Sequence, residues 1–113
     1  MNLAHRRIGD ADVLVLPVHR LDADLVPAFK ESYRALALGG GPLVIDLSEV
    51  GFIDSMGVGS LLGCMRRQHE RGSTLRLCGV QSTVAATFSI LKLSRVFEIY
   101  DTREDAVRDQ PGD

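Results

Sequence analysis

Apolar and polar positions change period several times along this chain, and each change marks an element. Residues 3–8 and 13–18 are short apolar-rich runs on either side of Gly9-Asp10-Ala11-Asp12, a set of turn-favouring residues. This pattern predicts an antiparallel hairpin. Pro27 comes soon after; proline is tolerated in the first turn of a helix, where its missing N–H would have no partner anyway. Asp24 or Asp22 is the expected N-cap of a helix reaching about Leu38, with Leu25, Phe29 and Leu36 as its apolar stripe and Tyr33 alongside. Gly39-Gly40-Gly41-Pro42 ends it. Residues 43–47 are a continuous apolar run around Asp46, which suits a strand covered on both faces.

A second helix is expected from about Gly57 to Arg71, closed by Gly72, with Val58, Leu61, Leu62 and Met65 toward the core. Residues 74–78 read as a strand. Ser82 is the expected cap of a third helix, in which Val84, Phe88 and Leu91 repeat at i, i+4 and i+7. Residues 97–100 read as a last strand, and Thr102-Arg103-Glu104-Asp105 resembles a capping box opening a C-terminal helix. Gln110-Pro111-Gly112-Asp113 is expected to fray. The order β-β-α-β-α-β-α-β-α predicts an α/β fold. Its single mixed β-sheet combines an N-terminal hairpin with parallel strands joined by right-handed crossover helices. Residues 1–113 suit one domain, without repeat or linker.

Composition narrows the function. A 45% hydrophobic content supports one core, and without Trp that core rests on Leu, Val, Ile and Ala. A formal net charge of -2 without a long run of one sign argues against a nucleic-acid partner. No run approaches the roughly 18 apolar residues needed to span a bilayer, so no membrane partner is expected. Residues 1–7 lack the apolar stretch of a signal peptide, which predicts a cytoplasmic protein. Cys64 and Cys78 lie in different elements without metal-ligand spacing; they are expected as buried free thiols, with no metal and no cofactor.

The candidate chemistry concentrates at Ser55, where the strand-like run from Val44 passes through a turn into Gly57-Val58-Gly59. A hydroxyl there stands beside a helix N-terminus, which favours negative charge. It is a cap, a nucleophile or a site of phosphorylation. The nucleophile-elbow pattern G-x-S-x-G matches only in Ser55-Met56-Gly57, since Ile53 holds the earlier glycine position. His69 lies fourteen residues along the same helix, roughly 20 Å away at 1.5 Å per residue, and nothing ties His5 or His19 to the site. No catalytic residue is assigned and no enzyme is expected. Gly57-Val58-Gly59-Ser60-Leu61-Leu62 begins like a dinucleotide fingerprint but ends in Leu62, without a P-loop lysine. As a cap, Asp54 or Ser55 would contribute about 1 kcal/mol.

The run from Asp46 to Ser55, followed by Gly57-Val58-Gly59, resembles the signature of STAS domains, and specifically of bacterial anti-sigma factor antagonists. Leu21-Asp22, residues 72–77 and residues 91–100 resemble further family segments, so the similarity covers nearly the whole chain. It implies that Ser55, directly after Asp54, is phosphorylated. The implied partners are an anti-sigma factor that is also a GHKL-type serine kinase, and a PP2C-like phosphatase that resets the cycle. The unphosphorylated antagonist binds the kinase and frees a sigma factor; ATP belongs to the kinase. The expected partner face comprises Asp22, Asp54, Ser55, Met56 and Gly57. The small residues Gly59, Ser60 and Gly63, at i, i+1 and i+4 on the following helix, either line a surface where a partner element packs closely and join that face, or pack within the chain against the sheet. The alternative is a constitutive STAS scaffold or transport-complex subunit in which Ser55 is never modified. Three departures stand out: Met56 where the family often has Ser or Thr, and His19 and Lys92 in place of glycines.

Overall fold

The computed structural model describes residues 1–109. The fraying expected of residues 110–113, and the end of the single domain, lie outside the described residues. The hairpin forms as β1 (Ala4–Ile8) and β2 (Ala11–Val15), with Ile8 opposite Ala11. Its turn is tighter than predicted: Gly9, at φ 61°, and Asp10 suffice, and Ala11 and Asp12 join the strand. Asp12 is buried there because His5 Nε2 lies 2.7 Å from its carboxylate and the Gly39 N–H donates to it at 2.8 Å.

After β2 come β3 (Arg20–Leu21), α1 (Val26–Arg34), β4 (Leu43–Asp46), β5 (Phe52–Ile53) and α2 (Ser55–Glu70). Then follow β6 (Leu75–Cys78), α3 (Ser82–Ile90), β7 (Glu98–Tyr100) and α4 (Arg103–Arg108). The main sheet has the order β1-β2-β4-β6-β7, antiparallel only at the hairpin, as the mixed α/β reading requires. Alternation along each strand divides the core. Leu43, Ile45, Leu75 and Leu77 join Phe29 of α1 and Leu61 of α2 on one face. Val13, Val44 and Cys78 meet Ala106 of α4 on the other. On that second face Arg76 is buried, its Nη1 donating to the Ala106 carbonyl at 2.8 Å, and Arg103 Nη2 donates to Asp46 at 2.7 Å.

Several expectations need correction. A separate parallel ladder of β3 and β5 lies outside the main sheet; the His19 carbonyl accepts from the Gly51 and Phe52 N–H groups and holds it in place. Helix α1 ends at Arg34, short of Leu38, because the chain must descend to place the Gly39 N–H on Asp12. Its N-cap is Leu25, without a side-chain bond; Asp22 instead accepts from the Asp24 and Leu25 N–H groups in the turn before it. Helix α2 starts two residues earlier than expected. Gln81, not Ser82, is the N-cap of α3, and Leu91 at its end is exposed. Thr102 does cap α4, accepting from the Asp105 N–H at 3.1 Å.

Candidate functional site

The site is built at the junction of β5 and α2. Asp54 is the N-cap of α2, extended in backbone, and its Oδ1 accepts from the Gly57 N–H at 2.8 Å. Its Oδ2 accepts from the Ala23 N–H at 3.0 Å, so one carboxylate ties the start of α2 to the turn leading into α1. The Gly57 hydrogen bond, then that from Ala23, holds the Asp54 carboxyl below the usual carboxylate range. With Asp54 as the cap, Ser55 is the first residue of α2 and exposed, and its hydroxyl has no hydrogen-bond partner among the described residues. It therefore stands free at the positive end of a sixteen-residue helix.

The other candidates divide into two groups. Met56 is 52% exposed, and Gly59 and Gly63 are exposed on the same helix. Gly57 and Ser60 turn inward. A Cβ on Gly57 would stand 2.2 Å from the Leu21 carbonyl oxygen, so only glycine lets α2 pack against β3. Ser60 is buried, and its hydroxyl donates to the Gly57 carbonyl at 2.6 Å. The small-residue surface is thus Gly59 and Gly63, without Ser60. Asp22 is mostly buried and structural: besides the turn it holds, it accepts from Arg20 Nε at 3.2 Å.

Two features of this region escaped the sequence reading. The Arg20 guanidinium lies 4.1 Å from the ring centroid of the exposed Phe52, a cation–π pair across the β3–β5 ladder. Between α1 and α2 runs a hollow of about 420 Å³, whose lining includes Lys30, Arg34, Arg66 and Arg67. The i, i+4 spacing of Lys30 and Arg34 was visible in the sequence, but not the helix it faces. Both cysteines are free and buried; burial pushes Cys64 up to about 12 and Cys78 to about 11. Among the described residues no three His, Cys, Asp or Glu side chains gather as a metal set, and no helix is long and apolar enough to cross a membrane.

Known proteins share this fold. The STAS domain family model matches residues 5–106. An anti-sigma-B factor antagonist of Listeria monocytogenes is 34% identical over 80 residues, covering 70% of each chain. The anti-sigma-B factor antagonist of Bacillus subtilis is 27% identical over 100 residues, 88% of this chain and 92% of that one. A solved anti-sigma-factor antagonist (STAS) domain protein from Planctomyces limnophilus superposes with a TM-score of 0.84 at 20% identity, covering 93% and 94% of the two chains.

Proposed function

The chain belongs to the STAS domain family, and from that membership we propose that it acts as a phosphorylation-switched anti-sigma factor antagonist. Unphosphorylated, it binds an anti-sigma factor that is a GHKL-type serine kinase and so frees a sigma factor. Phosphorylation of Ser55 breaks the complex, and a PP2C-like phosphatase restores the binding form. The names of the Listeria and Bacillus relatives support the general role. The observation that carries the switch is the division of labour at the junction: Asp54 does the capping, and the exposed Ser55 hydroxyl engages nothing among the described residues.

The partner face in this reading is Ser55, Met56, Gly59 and Gly63, with Asp22, Asp54, Gly57 and Ser60 shaping it from beneath. A phosphoryl group adds about -1.5 to -2 charges and strong acceptor oxygens. The helix N-terminus accommodates them in the free protein, whereas a packed interface must desolvate them. A penalty of about 3 kcal/mol already weakens binding roughly a hundredfold, so the switch needs no refolding.

Affinity capture with wild-type, Ser55→Ala and Ser55→Asp baits, read by mass spectrometry, tests this. A GHKL-type kinase should be retained by the first two and lost by the third. Equal capture of scaffold or transport proteins by all three baits would instead favour a constitutive module.

A further inference from the structure

We propose that the basic hollow between α1 and α2 receives an acidic helix of the protein partner. The inference rests on the preceding reading for who that partner is; where it docks, and by what chemistry, follows from three observations. The first is charge. Lys30 and Arg34 on α1 face Arg66 and Arg67 on α2, and no carboxylate of the described residues lines the hollow. None of the four makes an ion pair among the described residues; Arg67 lies 5.8 Å from the Tyr33 ring centroid. Four unpaired cations gathered in one hollow, on a chain of formal net charge -2, leave a local field that an anionic surface would neutralise.

The second observation is the pair of glycines in its floor. Glycine in a helix interior weakens the helix relative to alanine. Gly57 has an internal reason to be glycine; Gly59 and Gly63 have none. Neither has a positive φ, and a Cβ at either would meet no atom of the described residues within 4 Å. What the missing side chains preserve is open space above α2, and a helix approaching closely from outside uses it. Beside them Tyr33 is 6% exposed, and its buried hydroxyl has no partner among the described residues.

The third observation is continuity. Ser55, Gly59, Leu62 and Arg66 recur at i, i+4, i+7 and i+11, hence on one face of α2. That stripe runs about 16 Å from the serine into the hollow. A second hollow of about 570 Å³ over Met56 shares Lys30 and Arg34 with the first; Glu31 is the carboxylate on its lining. Two hollows that share a wall suit a helix with carboxylates three or four residues apart better than a compact anion. It also ties the hollow to the switch: phosphate on Ser55 would place negative charge at the head of the path an acidic helix must follow.

The test uses the kinase captured by the wild-type bait, with two variants: Arg34→Gln/Arg66→Gln, and Gly63→Leu, each checked to unfold cooperatively at no lower urea midpoint than wild type. Both should bind at least tenfold more weakly. The double variant should also lose much of the salt dependence of binding, a readout that a merely structural defect would not give. Wild-type affinity and salt slope in both variants, with Ser55→Asp still unable to bind, would overturn the inference and leave the phospho-switch standing. If inorganic pyrophosphate saturates the hollow without competing with the kinase, the site belongs to a small anion and the proposal fails. If wild type retains no such kinase, the switch and the inference fail together.

Discussion

Gly57 and Gly59 lie two residues apart in α2, yet replacing each by alanine should move stability in opposite directions. At Gly59 the new Cβ meets nothing within 4 Å, so the substitution removes only the entropic disadvantage of glycine in a helix. Gly59→Ala should stabilise by about 0.5–1 kcal/mol. At Gly57 the Cβ would fall 2.2 Å from the Leu21 carbonyl oxygen and 2.7 Å from Ile53 Cγ1. Neither neighbour yields easily, because Leu21 and Ile53 are partners in the β3–β5 ladder. Overpacking of this kind costs about 1–3 kcal/mol, and the first turn of a helix has little propensity gain to offset it. The two variants should therefore differ by about 1.5–4 kcal/mol. Urea unfolding at equal m-value measures this directly. A Gly57→Ala protein as stable as wild type, or a destabilised Gly59→Ala, would refute the assignment of Gly57 to packing and of Gly59 to open surface.

Other consequences are equally local. Lys92 sits at φ 60° where α3 ends, with the Leu93 N–H on the Phe88 carbonyl and the Lys92 N–H on the Ser89 carbonyl, a position that favours glycine. Lys92→Gly should raise stability by about 0.5–1 kcal/mol; an unchanged or lower urea midpoint would contradict this. For Asp46, burial pushes the carboxyl up, but the bonds from Arg103 and Ser48 outweigh it and hold it below the usual range. The pair's stabilisation is thus complete above an ordinary carboxyl pKa and is lost as pH falls through the lower folded value. Arg103→Gln should cost about 2 kcal/mol at pH 7, less than a fully buried pair because the Arg103 side chain is 33% exposed. That loss should shrink below about pH 4, and a difference constant from pH 7 to pH 3 would count against it. With thiols at about 12 and about 11, Cys64 and Cys78 should resist a disulfide reagent at pH 8 in the native protein and react only on unfolding. A thiol reacting natively at the rate of free cysteine would contradict their burial.

The hairpin and the buried parallel strands were legible because alternation and continuous apolar runs are long-lived signals. β3 and β5 were not: two residues carry no period, and the ladder depends on the His19 carbonyl, a contact made only once the chain has folded. Leu36 continued the apolar stripe of α1 past its end, because the sequence does not show Asp12 pulling in the Gly39 N–H. Leu91 fitted the stripe of α3, yet the turn at Lys92 gives the core contact to Leu93 instead. The site divides the same way. The Asp54-Ser55 junction could be placed from local pattern, whereas Gly57, Gly59, Ser60 and Gly63 look alike in sequence and only packing separates the inward pair from the outward one. Nothing in the run 74–78 marks Arg76 for burial beneath α4, which depends on the Ala106 carbonyl.

A switch that acts on binding alone needs a modified group that the fold does not use. Had Ser55 been the N-cap, a phosphoryl group would have replaced a capping hydroxyl worth about 1 kcal/mol, and loss of partner would be mixed with loss of stability. Asp54 prevents this by holding Gly57 and Ala23 with its two oxygens, which fixes the backbone on both sides of the serine without engaging its side chain. Charge added to Ser55 would then meet the positive end of α2 in the free protein, where it is tolerated, and meet the partner only in the complex. Nearly the whole energetic difference would fall on association. Ser55→Asp should therefore unfold at close to the wild-type urea midpoint while failing to bind, and Asp54→Ala should show the reverse emphasis, losing about 1 kcal/mol of stability before any effect on recognition is considered.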